Sequence, residues 1–301
     1  MNFIYPLIAV LIWSVNSIVS KLAASSIDPA AISFYRWFIA FLVISPFAIS
    51  SVIRQRKIIK QYLLKFFVLG ALGMCMFQGL AYYAAQTISA ALMGVANGVI
   101  PLLTLILSLF ILRTTITLGL IIGGMLSFIG LVWLVTNGHP LALFSNGINK
   151  GELLILLASL AYALYGVLLK KWAIPVTAWA SLYIQIFFGL LCILPLFLSV
   201  DNVALTGQNI PLVLFAGIPA SIIAPFTWMA GIRLLGAYKA SIFLNFAPIF
   251  TLIIAAIFLD ESITIHFTIG TVLVLIGVFI AQTLKKTITN KRKNTAPKTG
   301  S

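Results

Sequence analysis

The amino-acid sequence predicts an all-α integral membrane protein with ten transmembrane helices in two inverted five-helix repeats. Hydrophobic residues make up 62% of the 301 positions and charged residues only 8%, a balance that is not typical of a soluble domain. Several uncharged runs reach the roughly 20 residues that a spanning helix needs, for example Trp37 to Ile53 and Ser262 to Leu284. Because these runs are continuously apolar rather than alternating, helices are predicted and a strand barrel is not.

The apolar runs divide the chain into ten predicted spans. The stretch from Phe66 to Leu112 is uncharged throughout and long enough for two of them. No basic residue precedes the first span and no small-x-small site ends it, so we expect it to stay in the membrane as a span. The predicted spans are 3–22, 31–52, 66–85, 90–112, 116–136, 151–169, 177–199, 210–231, 238–259 and 263–284.

The two halves of the chain repeat a pattern. Pro101 to Ile106 is matched by Pro248 to Ile253, and each run is followed at one common offset by a glycine and then by an Ile-Gly pair. Five spans per half is an odd number, so the second half is predicted to enter the membrane from the opposite side. Inverted repeats place a substrate site at their interface, which indicates transport. The predicted organisation is a first repeat at 1–136, a linker at 137–150, a second repeat at 151–286 and a disordered basic cytoplasmic tail at 287–301.

The basic residues predict the orientation of the chain. The formal net charge is +14, from 19 basic and 5 acidic residues. The predicted spans place 16 of the 19 basic residues on one side, with Lys21, Arg36 and Lys150 near the other. The positive-inside rule then predicts cytoplasmic N- and C-termini in a bacterial inner membrane. The charge is therefore a topology signal, and no nucleic-acid partner is expected.

Ordered motifs in both halves support a family resemblance. They are Trp13, Asn16 and Lys21 in span one, Pro29 and Arg36 around span two, Ala90 to Pro101, Gly123 with Gly130, Gly236 to Pro248, Leu259-Asp260-Glu261, and Gly270 with Gly277. With these motifs the chain resembles the drug/metabolite transporter superfamily, in particular its EamA-type ten-span members, over roughly residues 3–284. The family has an acidic residue after the fourth span, where this chain has Thr114. The resemblance implies a central cavity lined by spans one, three, four, six, eight and nine, with spans five and ten outside it.

Polar and aromatic side chains are candidates to line that cavity. Helical spacing places Asn97 and Pro101 on one face of span four, and Asn245 and Pro248 nearly so on span nine. Amide groups suit zwitterionic or hydroxylated substrates, and aromatic rings suit an apolar body. The alternative is that the amides join helices and the rings anchor them at the interface. The candidate substrate-binding residues are Trp13, Asn16, Gln78, Tyr82, Asn97, Tyr162, Tyr165, Trp228 and Asn245.

Four residues are candidates for gating or helix bending: Arg36, Pro101, Pro225 and Pro248. Each proline removes a backbone hydrogen bond and loosens its helix. Arg36 is predicted near the outer end of span two, where a structural or gating role is favoured. The alternatives for Arg36 are a clamp on a substrate carboxylate or phosphate and a pair with Asp28 or another outer acid.

The spacing of reactive residues predicts no enzyme. His139 and His266 lack zinc-motif spacing, and no acid pair lies at membrane depth. Cys75 and Cys192 lie inside predicted spans in different halves and are expected to be free, buried thiols. No catalytic residue, metal or cofactor is predicted, and the lack of a deep carboxylate argues against obligate proton antiport.

These patterns predict a secondary transporter of small amphipathic metabolites that works by alternating access. The resemblance implies amino acids or related compounds as first candidates and export as the direction. The alternatives are a carrier for an anionic metabolite, such as a phosphate ester or nucleotide sugar, and a non-transporting membrane scaffold. The expected partners are a small-molecule substrate and membrane lipid. Gly119 with Gly123, and Gly270 with Gly277, predict close helix packing within the chain or across a homodimer.

Overall fold

The fold, given by a computed structural model, is described for residues 2–23, 26–88, 90–114, 117–141, 150–201, 203–259 and 264–286. Within these ranges the regular elements are helices, as predicted. The predicted tail at 287–301, Asp260-Glu261 and most of the predicted linker lie outside the described residues. The helices are α1 Ile4–Ala23, α2 Pro29–Arg54, α3 Arg56–Gln61, α4 Leu63–Gly70, α5 Phe77–Ala85, α6 Ala90–Leu112, α7 Leu118–Val135, α8 Lys150–Trp172, α9 Ala178–Phe197, α10 Ile210–Gly217, α11 Ala224–Leu235, α12 Ala237–Ser241, α13 Ala247–Leu259 and α14 Ile265–Thr283.

Apolar helices long enough to cross a membrane make up most of the chain. The shorter apolar stretches Ile4–Ser20 and Asn97–Leu112 stand at predicted spans one and four. This arrangement is that of a multi-pass membrane protein. Among the described residues, seven helical segments are long and apolar enough to cross: Pro29–Arg54, Leu63–Ala85, Leu118–Val135, Lys150–Trp172, Ala178–Phe197, Ile210–Leu235 and Ile265–Thr283.

The ninth predicted span, 238–259, differs from the continuous helix that the sequence suggests. It consists of α12, a 3-10 segment at Ile242–Phe246, and α13. Pro248 has no N–H to donate to the carbonyl of Leu244, and its ring crowds that carbonyl. The N–H of Ala247 donates to the Leu244 carbonyl instead, which tightens the turn before the proline. The proline therefore divides the helix as well as bending it.

Glycines bring α7 and α14 into backbone contact. A Cβ added at Gly123 would lie within 3 Å of backbone atoms of Gly277 and Ala281, and one at Gly277 would meet the backbone of Gly123 and Ser127. Only residues without a side chain allow helices to approach this closely. The facing glycines pack within the chain, so this surface is not open to a second copy. We call the contact the glycine seam; it comprises Gly119, Gly123, Gly130, Gly270 and Gly277.

Hydroxyl side chains cap the ends of several helices. Thr117, Thr177 and Thr264 precede α7, α9 and α14, and each accepts a hydrogen bond from the backbone N–H three residues later. After α6, the hydroxyl of Thr114 donates to the carbonyl of Ser108 at 3.3 Å. A neutral hydroxyl thus stabilises the turn in which the family resemblance implies an acid.

The basic connections meet at one end of the molecule. Gln55, in the connection after α2, accepts from the backbone N–H of Thr177 after α8 (2.9 Å), and Lys170 donates to the carbonyl of Arg233 at the end of α11 (2.8 Å). At the same end, Gln282 donates to the carbonyl of Lys239 at 3.0 Å. The connections predicted to share one side of the membrane are therefore linked pairwise by contacts.

Candidate binding site

Aromatic side chains from four helices meet inside the bundle. The ring of Trp13 on α1 lies 5.4 Å from Trp228 on α11 and 6.0 Å from Tyr162 on α8. Tyr162 also stacks on Phe77 of α5 at 4.2 Å and lies 5.7 Å from Tyr165. Four rings that were predicted separately thus form one cluster together with Phe77. We call it the aromatic cluster: Trp13, Phe77, Tyr162, Tyr165 and Trp228.

A small cavity lies against the aromatic cluster. Its volume is about 20 Å³, which suffices for about one water molecule and is far below the ~300 Å³ of a typical small ligand site. The molecule is therefore closed around this space in the conformation described. Six predicted residues line the cavity: Trp13, Gln78, Tyr162, Tyr165, Pro225 and Trp228. Four residues that were not predicted complete its wall: Trp37, Gly73, Met74 and Ala220.

Arg36 forms a buried network behind the cavity wall. Its side chain is 0% exposed, two turns into α2. Nε donates to Ser221 Oγ at 2.9 Å, and Nη1 donates to Gln78 Oε1 at 3.1 Å and to Tyr82 Oη at 3.0 Å. Nη2 approaches the carbonyl oxygen of Ala220 at 3.5 Å. One guanidinium therefore ties α2 to α5 and to the segment that precedes α11.

The acceptors around Arg36 are all neutral. Asp28, a predicted alternative partner, instead caps α2 by accepting from the backbone N–H of Ala30 at 2.7 Å. In the part of the chain that the structure describes, no carboxylate is among the hydrogen-bond partners of Arg36. The guanidinium carbon lies 5.2 Å from the ring centroid of Trp37, within cation–π range. The guanidinium therefore places a positive charge beside the cavity, with no acidic partner among the described residues.

Two π-helical segments flank the cavity. They are Ala71–Met76, between α4 and α5, and Pro219–Ile223, between α10 and α11. Single π turns inside α-helices often mark functional sites, because they displace carbonyls from the regular ladder. In the first segment the absent side chain of Gly73 lets the ring of Tyr165 pack on the backbone, since an added Cβ would lie 2.8 Å from that ring.

The second π segment supplies carbonyls to the site. The indole Nε1 of Trp13 donates to the Ala220 carbonyl at 3.1 Å. The hydroxyl of Ser221 donates to the Ala216 carbonyl at 2.7 Å, which leaves its oxygen lone pairs for Arg36. The irregular backbone of α10–α11 thus holds both the guanidinium and one wall of the aromatic cluster.

The three predicted asparagines lie off the cavity wall. Nδ2 of Asn245 donates to Ser127 Oγ of α7 at 2.7 Å, and Nδ2 of Asn16 approaches Ser20 Oγ at 3.4 Å. Asn97 is half-buried on α6. The structure therefore does not bring the amides of α6 and the 3-10 segment to the wall, and their part in substrate binding stays a prediction.

The remaining candidates differ in their positions. Tyr82 is buried and contacts Arg36 rather than the cavity. Pro225 lines the cavity at the start of α11, whereas Pro101 is buried within α6 and Pro248 follows the 3-10 segment. Cys75 and Cys192 are free, and each is half-buried rather than fully buried.

Trp37 has the largest side chain of the four wall residues that were not predicted from the sequence. It is 1% exposed and belongs to α2, which the family resemblance leaves outside the cavity. A signal was present in the sequence, because Trp37 directly follows the one arginine inside a predicted span. Adjacent helical positions point in different directions, so spacing alone did not indicate that both belong to one site.

Known proteins with similar sequences or folds are transporters where their names state a function. The chain is 27% identical over 267 residues to "Uncharacterized transporter YyaM" of Bacillus subtilis (strain 168), covering 87% of each chain. It is 26% identical over 245 residues to "Protein PecM" of Dickeya dadantii (strain 3937), covering 78% of each. A crystal structure at 17% identity superposes with a TM-score of 0.76 and covers 94% of this chain and 97% of the other, which shows the fold.

A family model accounts for both halves of the chain. The model of the EamA-like transporter family matches residues 2–136 and again 149–283. The two matches leave out little more than the connection between α7 and α8 and the C-terminal tail. The helical, multi-pass architecture agrees with that match. The chain therefore belongs to the EamA-like transporter family of membrane transporters.

Proposed function

We propose that this protein is a secondary transporter that exports small amphipathic metabolites, with amino acids and related compounds as first candidates, across a bacterial inner membrane. The observation that carries the proposal is the aromatic cluster beside the buried Arg36 network. Aromatic walls suit an apolar body, and a guanidinium network suits a polar head. Export and the amino-acid class come from the family resemblance rather than from the geometry.

Ten spans in two inverted repeats, 1–136 and 151–286, provide the framework of the proposal. Pro101 and Pro248 are 147 positions apart, and so are Thr117 and Thr264, which cap α7 and α14. The two π segments, Ala71–Met76 and Pro219–Ile223, are separated by nearly the same number of positions. Equivalent irregularities in two halves around one cavity support an inverted-repeat carrier.

Alternating access requires the cavity to open toward each side in turn. A space of about 20 Å³ must grow to a few hundred Å³ to hold a metabolite. The helical hydrogen-bond pattern is interrupted at the two π segments and at the prolines within α6, α11 and α13. We place the bending there, with Pro101, Pro225 and Pro248 lowering its cost.

A counterflow screen tests the proposal. Purified protein in liposomes, preloaded with single unlabelled amino acids or metabolites, should accumulate the matching labelled solute at several pH gradients. Asn97→Ala and Asn245→Ala should lower that flux if the predicted site extends to α6 and the 3-10 segment. Trp133→Phe, on α7 away from the cavity, is the control. Liposomes that move no solute contradict transport, and unchanged flux in both asparagine variants contradicts the wider site.

One observation favours a second candidate, a carrier for an anionic metabolite such as a phosphate ester. Arg36 is buried with neutral acceptors only, so a transported anion would compensate its charge. A single guanidinium is a weak match for a dianion, which places this candidate second. Arg36→Ala distinguishes the candidates: loss of flux for anionic solutes alone favours the anion carrier.

A further inference from the structure

The chemistry of Gln78 follows from its contact with Arg36. A guanidinium has donors only, so the oxygen of the amide must face it, as the 3.1 Å contact from Nη1 to Oε1 shows. The amide nitrogen of Gln78, with two N–H groups, is thereby turned away from Arg36. Gln78 lines the cavity, and no acceptor for this nitrogen is present in the described ranges. Arg36 thus makes Gln78 a hydrogen-bond donor at the wall.

Two residues of the same wall also carry indole N–H groups that have no hydrogen-bond partner among the described residues. Trp37 is 1% exposed and Trp228 is 2% exposed, and both line the cavity. Nε1 of each is buried without a partner among the described residues. An indole N–H can only donate, and leaving it unpaired in a buried site costs free energy. By contrast, Nε1 of Trp13 is already paired with the Ala220 carbonyl.

The wall therefore combines several hydrogen-bond donors with a nearby positive charge, and the hydroxyls of Tyr162 and Tyr165 can donate as well as accept. Gln78, Trp37 and Trp228 supply the donors, and Arg36 lies directly behind Gln78 and beside Trp37. A ligand group that has acceptor atoms and a negative charge satisfies these donors and compensates the guanidinium. A carboxylate meets both requirements with two oxygens, and a single charge matches a single guanidinium.

We infer that this wall binds the carboxylate of the transported molecule, with Gln78, Trp37 and Trp228 donating to it and the aromatic cluster holding its apolar body. Arg36 is a positioning residue, since it acts through Gln78 and through its charge. The inference rests on the proposed transport function and narrows its substrates to monocarboxylates, a class that includes amino acids and simple organic acids.

Matched pairs of ligands test the inference. Binding to the purified full chain is measured by calorimetry for 3-phenylpropanoate and 3-phenylpropanamide, hexanoate and hexanamide, and L-phenylalanine and its amide. Each pair keeps the body and exchanges the carboxylate for a neutral or cationic group. At least one acid should bind about tenfold more tightly than its amide, as expected for a charge-assisted hydrogen bond. A panel in which no acid is preferred overturns the inference.

Variants of the wall residues test whether these side chains bind the carboxylate. Gln78→Glu replaces the donor by an acceptor and neutralises Arg36, so it should abolish the acid preference while the buried pair keeps the protein folded. Trp37→Phe and Trp228→Phe keep a ring and remove only the N–H, and each should reduce the preference several-fold. Trp133→Phe is the matched control, because its Nε1 is also buried without a partner but it lies beside His266, away from the cavity.

Flux measurements separate this inference from the function on which it rests. Liposomes that transport amines or neutral solutes, with no preference for an acid, would leave transport intact and refute the carboxylate wall. Protein that prefers acids in calorimetry but moves none of them would support the wall and refute transport. An acid preference that survives Gln78→Glu unchanged would reassign the carboxylate to other residues and overturn the inference.

Discussion

Arg36 shows how far a single side chain could be interpreted from the sequence. Its position inside a predicted span indicated a structural or gating role, and the structure places it at 0% exposure with Ser221, Gln78 and Tyr82 as acceptors. The partners could not be predicted, because they lie 42 to 185 positions away on other helices. Asp28, the acidic partner considered, is used as a helix cap.

Replacing Arg36 by lysine should destabilise the fold. Lysine carries the charge but lacks the planar fork, so it cannot reach the acceptors on α5 and near α11 together. We expect a loss of about 2 kcal/mol or more, seen as a lower midpoint of thermal unfolding in detergent. Lys170→Met removes a basic side chain that donates to a carbonyl at the surface and is the control. Equal shifts of the unfolding midpoint in the two variants would show that the Arg36 network stabilises the fold no more than the surface contact of Lys170 does.

The aromatic residues were easier to predict than the amides. Trp13, Tyr162 and Trp228 lie well inside apolar runs, and the structure joins them in one cluster. Asn245 fits the same helical-face argument, yet it donates to Ser127 of α7. Periodicity identifies a face of a helix but not the helix that will cover it. For this reason large rings, which favour the interior, were located better than small polar groups.

Two of the passes around the cavity are interrupted. The passes formed by α4–α5 and α10–α11 each contain a π segment, whereas α7 and α14 are regular and joined by the glycine seam. A seam of backbone contacts resists bending, because either helix would clash with its partner. A π turn has fewer regular hydrogen bonds to lose. We therefore expect α7 and α14 to move as a rigid pair and the interrupted passes to bend.

A methyl group in the glycine seam should separate α7 from α14. In Gly123→Ala the new Cβ would meet backbone atoms of Gly277 and Ala281, and backbone cannot swing aside as a flexible side chain can. We expect a destabilisation of about 1–3 kcal/mol in thermal or denaturant unfolding. Gly79→Ala on α5 is the matched control, since nothing lies within 4 Å of its Cβ. That variant should gain up to about 1 kcal/mol from helix propensity. A stabilised Gly123→Ala variant would contradict the packing.

Across the molecule as a whole, the basic connections lie together at one end. The contacts between Gln55 and Thr177, Lys170 and Arg233, and Gln282 and Lys239 gather the basic connections at one end. At the other connections, Thr264 donates to Asn137 at 2.9 Å and Tyr35 donates to the Val203 carbonyl at 2.9 Å. By the positive-inside rule we expect the basic end to face the cytoplasm.

Reporter fusions should locate the two ends of the molecule. A fluorescent protein fused after the tail should fluoresce, because it folds in the cytoplasm, and one fused to the N-terminus should do the same. Alkaline phosphatase inserted at 137–150 should be active, since that connection is predicted to face outward. The same enzyme fused after the tail is the control and should be inactive. Termini on different sides of the membrane would contradict both the orientation and the ten-span proposal.

Composition and hydropathy were sufficient to predict the membrane class, the helical passes and the grouping of basic connections. These features depend on local runs of residues and on the cost of burying charge in lipid. Contacts between distant helices determine the rest: the meeting of Arg36 with Gln78, the entry of Trp37 into the cavity wall, the pairing of Asn245 with Ser127 and the packing of the glycine seam between α7 and α14. Such contacts are selected by the packing of the whole bundle, in which every helix offers several faces and only the assembled molecule determines which of them meet.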